Sequence, residues 1–302
     1  MLSLIILSLS LLIGVGLQRV KAIPANAHST LGTLILYVPL PAVCLLSVPH
    51  LEWSWSQLSV ILVTWIVFGV GYFFFTTLGK KLNWSQELTG CMILTGSFCN
   101  SSFVGFPVIE ALYGAEGLKH AVLLDLAGSF LIVSSFGVWV AIRYSSGQMK
   151  KRILFKKILF FPPFIALLAG IILGVLGWKA EGITREVLER LALLLTPLAL
   201  ISVGLQLKWG EVKEEFSHLV TGLSFKLILA PLIIFTLYYS AGVSREIFQV
   251  AVMESAMAPM ITASILAASH NLRPRLAGMM IGVGVPLSFI TLGLWYTLLN
   301  FL

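Results

Sequence analysis

Ten runs of apolar residues, most of them about twenty residues long, follow one another along this 302-residue chain. A helix of about twenty residues matches the hydrocarbon thickness of a bilayer. Hydropathy places the runs at 2–18, 30–48, 57–78, 88–112, 119–142, 161–178, 188–207, 217–240, 248–269 and 276–299. A water-soluble fold would have to bury all of them at once, and no core built from a chain of this size has room. Only 11% of the residues are charged, against about 25% in soluble domains, and the mean hydropathy is +0.97. The expected fold class is therefore an all-α integral membrane protein of ten transmembrane helices. The first run, Leu2 to Gln18, has no basic segment ahead of it and is expected to stay as a helix rather than serve as a secretory signal.

Charge asymmetry orients the helices. The connection from Arg143 to Phe160 carries Arg143, Lys150, Lys151, Arg152, Lys156 and Lys157, so it is expected in the cytoplasm. Arg19, Lys21, Lys80, Lys81, Lys208, Lys213, Arg273 and Arg275 then fall on the same side, and Lys119, Lys179, Arg185, Arg190 and Arg245 on the other. Both termini are expected outside. The net charge of +7 reads as a topology signal with some attraction to anionic lipid, and no basic soluble module suggests nucleic acid.

Catalytic and metal signatures are missing. Cys44, Cys91 and Cys99 lie inside expected spans without Cys-x-x-Cys or Cys/His spacing, and read as small packing residues. No Gly-x-Ser-x-Gly, His-Glu-x-x-His or Gly-rich phosphate loop occurs, so nothing points to an enzyme or to a resident cofactor.

The basic loop divides the chain into five helices at 1–142, a linker at 143–160 and five helices at 161–302. An odd number per half forces the halves into opposite orientations, which makes them candidate inverted repeats. Prolines occur at matching places: Pro39 and Pro41 in the second helix, Pro107 in the fourth, Pro197 in the seventh and Pro259 in the ninth. The most polar stretch inside any span is Thr95 to Pro107, TGSFCNSSFVGFP, and its counterpart is Met253 to Ser264, MESAMAPMITAS. A proline removes one backbone donor and crowds the carbonyl four residues back, and lipid cannot satisfy the freed groups. Two such helices crossing at mid-membrane would offer half-helix N-termini to an anion and free carbonyls to a cation. A pair of kinked structural helices is the plainer alternative.

The segment Asn100 to Leu118, NSSFVGFPVIEALYGAEGL, resembles the crossover helix and following loop of the auxin efflux carrier family. Thr196 to Leu207, TPLALISVGLQL, resembles that family's seventh helix, and Ala258 to Leu272, APMITASILAASHNL, its ninth. The resemblance implies two inverted five-helix repeats, with a scaffold domain from helices 1, 2, 6 and 7 and a transport domain from helices 3–5 and 8–10. It also implies crossed broken helices 4 and 9, a homodimer and an elevator movement. The substrates implied are auxin or small carboxylates such as malonate and malate; the short central loop resembles bacterial members and hence an inner-membrane location. Glu254 in MESAM is similar to the glutamate of the more distant bile acid:sodium symporters. Helix 3, Leu58 to Leu78, lacks the charged pair of the plant carriers, so their coupling arrangement does not transfer.

Candidate site residues follow. Asn100, Ser101, Ser102, Pro107, Pro259 and Thr262 are expected around the substrate. Asp125, Lys226 and Glu254 are charges inside spans, each costing about 2.5–3.5 kcal/mol at a helix centre. Asp125 and Ser129 share a helical face, and with Asn100 and Glu254 they could offer oxygens to a cation, with sodium at Asn100 and Glu254. Lys226 is expected to pair with a carboxylate or to snorkel. The coupling ion stays open between sodium, a proton and none. The function read from these residues is secondary transport of a small organic anion; a sodium-coupled symporter of bile-acid type and a non-transporting sensor or scaffold are the alternatives.

Overall fold

Where no water reaches the backbone, every amide must find its partner within the protein, and helices meet that demand locally. The computed structural model describes residues 2–24, 26–50, 55–145, 162–206 and 215–301. Most of the basic loop expected at 143–160, together with Lys208 and Lys213, lies outside the described residues. The first half contains α1 (Leu2–Leu17), α2 (Ala27–Tyr37), α3 (Pro39–Ser47), α4 (Trp55–Lys81), α5 (Gln86–Gly96), α6 (Phe106–Leu123) and α7 (Val138–Tyr144). The second contains α8 (Pro162–Val175), α9 (Gly182–Ala192), α10 (Leu195–Gln206), α11 (Phe216–Ser224), α12 (Ala230–Ser240), α13 (Arg245–Ser255), α14 (Ile261–Ser269) and α15 (Pro274–Phe301). No β-strand occurs among the described residues; there is a single antiparallel bridge, between Cys99 and Pro259.

Among the described residues, five helical segments are long and apolar enough to cross a membrane: Gln57–Lys81, Ser101–Tyr144, Gly182–Leu205, Phe216–Ser240 and Pro274–Phe301. The second, at 44 residues, is longer than one crossing of about twenty needs. It turns at Gly114, whose φ of 68° is a left-handed conformation that glycine adopts without steric cost. Large apolar side chains such as Leu12, Phe73, Ile172 and Leu294 are exposed, as expected of surfaces that face lipid.

The proline-marked interruptions are present, but not always at the proline. The second expected span breaks at Val38 (φ −123°, ψ −77°), and Pro39 opens α3. In the seventh, the regular helix lapses at Leu193 and Leu194, so that Pro197 sits inside the first turn of α10, where its missing N–H costs nothing. In the fourth, the break precedes Asn100, and Pro107 lies in the first turn of α6. Between them runs a π-helical turn, Ser101–Gly105, in which Gly105 N–H donates to Asn100 O at 2.9 Å, five residues back.

Helices α1 and α10 pack with backbone touching backbone. A methyl group placed on Gly204 would stand 2.5 Å from Leu11 O and 2.8 Å from the Cα of Gly14. Small residues permit this approach, and within a membrane such packing is a main source of helix association. Gln18 Nε2 donates to Gly204 O at 2.6 Å beside the same crossing.

Candidate functional site

Helix α5 starts at an N-cap, where Ser85 Oγ accepts from Leu88 N at 3.2 Å. From Leu88 to Gly96 every residue is buried. Helix α13 is likewise buried throughout from Ile247 to Ser255. Both are covered on all sides over these stretches, polar residues such as Thr95, Gln249 and Glu254 included, which places them in the interior rather than at the lipid face. Both also stop in the interior, and their broken ends meet. Asn100 N–H donates to Ala258 O at 2.9 Å, and Met260 N–H donates to Phe98 O at 3.2 Å. These two bonds satisfy backbone groups that the interruptions would otherwise leave unpaired in a dry environment.

The junction gathers four helix ends. Chain order brings the C-termini of α5 and α13 and the N-terminal sides of the Ser101–Gly105 turn and α14 to the one bridge. Partial negative charge from the first pair and partial positive charge from the second therefore lie next to each other.

Side chains around the bridge form two groups. In the first, Asp125 is buried and both its oxygens are used: Ser101 Oγ donates to Oδ1 at 2.5 Å and Ser102 Oγ to Oδ2 at 2.6 Å, with Ser129 Oγ 3.3 Å from Ser101 Oγ. Ser101, Ser102, Asp125 and Ser129 are thus brought together. In the second, Glu254 has no exposed surface and neither carboxylate oxygen has a hydrogen-bond partner. Its carboxylate lies against Gly105, where an added methyl would come within 2.6 Å of Oε1 and 2.7 Å of Oε2.

Asn100 is buried, and its amide nitrogen has no partner. In the orientation found, the unused group is a donor, which suits an anion; the unused oxygens of Glu254 suit a cation. Pro107 and Pro259 are buried, whereas Thr262 is exposed on the first turn of α14. Among the described residues no set of three or more His, Cys, Asp or Glu side chains could hold a metal ion.

Lys226 departs from expectation. It is fully buried in the π-helical turn Phe225–Leu229, and instead of a carboxylate its Nζ meets Ser255 O at 2.6 Å and Cys99 Sγ at 3.1 Å. Cys99, read from sequence as a packing residue, also lies 3.9 Å from Ser255 O. The sequence offered one signal for this, a cysteine inside the most polar stretch of any span.

A cavity of about 530 Å³ opens between α3, α6, α9 and α10, lined in part by Val43, Leu46, Glu110, Lys119, Arg185 and Glu189. Asn100 and Glu254 do not line it. Its two cations are already paired, Lys119 with Glu116 at 2.6 Å and Arg185 with Glu189 at 2.7 Å. Glu110 accepts from Thr196 Oγ1 at 2.9 Å across the cavity wall.

Interrupted helices joined in a buried polar junction, among long apolar helices, mark an integral membrane protein. A family model described as membrane transport protein matches residues 1–296, and the chain belongs to that family, which is of the auxin efflux carrier type. An uncharacterized transporter of Methanothermobacter thermautotrophicus is 29% identical over 296 residues, covering 95% of this chain and 94% of the relative. One from Methanocaldococcus jannaschii is 27% identical over 307 residues, covering 98% of each. An uncharacterized transporter of Escherichia coli K12 is 26% identical over 274 residues, covering 87% of this chain and 85% of its own length.

Proposed function

We propose that this protein is a secondary transporter of a small organic anion, a carboxylate of malonate or malate size or an auxin-like acid, and that the junction at Asn100 and Glu254 is its transport site. The observation that carries this reading is the pairing of two buried helix interruptions by Asn100 N–Ala258 O and Met260 N–Phe98 O, with an unused donor on one side and an unused carboxylate on the other. An anion is drawn to half-helix N-termini and to the Asn100 amide, a cation to Glu254 and the freed carbonyls. The proposed frame is ten transmembrane helices in two inverted repeats with both ends outside, in a bacterial inner membrane. A dimer of such units would move helices 3–5 and 8–10 against a scaffold of helices 1, 2, 6 and 7.

Cation coupling is a second reading with its own support. A carboxylate entering a negative-inside cell is opposed by about 2.3 kcal/mol per charge per 100 mV. Inward accumulation therefore requires a co-transported cation, and efflux does not. Glu254, buried with no hydrogen-bond donor, is the group that would carry sodium or a proton. A thermal-shift screen of the purified protein against carboxylates, with and without sodium, tests both readings, because a ligand that binds only the folded state raises the apparent Tm. Stabilisation by a carboxylate supports the anion site, and its dependence on sodium identifies the coupling ion.

A further inference from the structure

Lys226 reaches the junction from outside both interrupted helices. Its ammonium is fully buried, 2.6 Å from the carbonyl oxygen of Ser255 and 3.1 Å from Cys99 Sγ. Ser255 is the last residue of α13, so its carbonyl is one of the four at a helix C-terminus that lack an intrahelical donor, where the helix carries about half a negative charge. Cys99 belongs to the other interruption and forms the bridge with Pro259. One nitrogen therefore touches both broken segments. Its neighbours in sequence are apolar: Phe225 and Leu227 are buried, and the Phe225 ring packs 4.9 Å from those of Phe74 and Phe75. Among the described residues no carboxylate forms an ion pair with it. A charge kept in such a place must be compensated by the helix end and by the wider field of the site.

We propose that Lys226 is a tethered cation: its ammonium occupies a monovalent-cation position formed by Ser255 O and Cys99 Sγ, and so fastens the two interruptions together. Three geometric facts set this position apart from the one at Glu254. It is built on the last carbonyl of α13, Ser255 O; it is filled by a side chain; and its oxygen is a carbonyl whose other near neighbour is Cys99 Sγ, at 3.9 Å. Lys226 is on this account a positioning residue that holds the crossover closed. The inference deepens the transport-site reading, but its test needs no transport.

The test uses the purified full-length chain in a Cys44→Ala, Cys91→Ala background, so that Cys99 is the sole thiol. Replacing Lys226 by Ala should lower the Tm and speed alkylation of Cys99 by about tenfold, the ratio that corresponds to 1.4 kcal/mol. Methylammonium, which can refill the cation position, should restore both values; tetramethylammonium, which has no N–H to donate, should not. Neither salt should alter the Lys226 parent. Lys226→Met keeps the length without the charge and should resemble Lys226→Ala without being rescued, because its own side chain blocks the space. The proposal is overturned if Lys226→Met matches the parent in both readouts, or if methylammonium does no better than tetramethylammonium on Lys226→Ala. Should Lys226→Ala fail to accumulate, Lys226→Arg and Lys226→Met decide: a stable Arg variant beside an unstable Met variant supports the tethered cation, and equal behaviour of the two refutes it. A junction that proves unrelated to transport would show in the carboxylate screen and leave these outcomes unchanged.

Discussion

Gly105 and Glu254 are in contact across the junction, so closely that a single methyl on Gly105 would lie 2.6 Å from Oε1 of the glutamate. The absent side chain is thus what makes room for a buried carboxylate beside the N-terminal side of α6. Gly105→Ala should displace Glu254 and reduce carboxylate-dependent stabilisation and uptake by about tenfold or more, since overpacking costs about 1–3 kcal/mol. Glu254→Asp, one methylene shorter, should recover part of the loss in the Gly105→Ala background. Failure of the Asp variant to recover any function would mean that the contact is not what limits the site.

The Asp125 cluster makes a separate prediction. Ser101 and Ser102 supply the two donors found on its carboxylate, and a buried acceptor left without its donor costs about 1–3 kcal/mol. Ser101→Ala with Ser102→Ala should therefore lower the Tm more than either change alone. Adding Asp125→Asn, which removes the buried charge, should give some of it back. Thermal unfolding of the four variants measures this, and a double serine variant as stable as the parent would show that water or another group serves Asp125.

The α1–α10 crossing should resist even one added methyl. At Gly204 the obstacle is main chain, Leu11 O and the Gly14 Cα, which cannot rotate aside as a flexible side chain can. Gly204→Ala is expected to destabilise by about 1–3 kcal/mol, read as a lower Tm and less monodisperse protein after extraction, whereas Gly16→Ala, with open space around its Cα, should be neutral.

Topology can be checked without reference to the site. Single cysteines at the exposed positions Lys80 and Glu181 should react with an impermeant thiol reagent from opposite faces, Lys80 from the cytoplasm and Glu181 from outside, as the lysine and arginine asymmetry requires. The three native cysteines are buried and should contribute little background. Labelling of both from the same face would overturn the proposed orientation.

Much of the helical framework was legible because lipid imposes a rule that sequence displays directly: long apolar runs become helices. The junction was legible in outline for the same reason, since Asn100, Ser101, Ser102 and Glu254 are expensive in a span unless they serve a purpose. Its details were not. The break was expected within Thr95 to Pro107, and the chain bends just before Asn100, while Pro107 is tolerated in the first turn of α6. Lys226 was expected to pair with a carboxylate or to snorkel. Its actual partners, Ser255 O and Cys99 Sγ, depend on which face of the α11–α12 segment meets the crossover, and hydropathy carries no information on that. The cavity beside Glu110 and Thr196 escaped notice because its walls come from helices far apart in the chain.

Coupling has a clear signature. If sodium is the partner, Glu254→Gln should weaken the sodium dependence of carboxylate binding, because an amide replaces a charged ligand. If a proton is, binding should follow pH and ignore sodium. Indifference to both, with Glu254→Gln behaving as the parent, would leave an uncoupled exporter driven by the membrane potential.

The most direct measurement is uptake of radiolabelled malonate and malate into proteoliposomes by the parent chain and by Asn100→Ala, with folding of each confirmed by thermal unfolding. The account predicts saturable uptake by the parent and a fall of about tenfold or more in the variant, the loss expected when a charge-assisted hydrogen bond to the anion is removed. Uptake by a folded Asn100→Ala protein at the parent's rate would contradict the assignment of the crossover as the transport site.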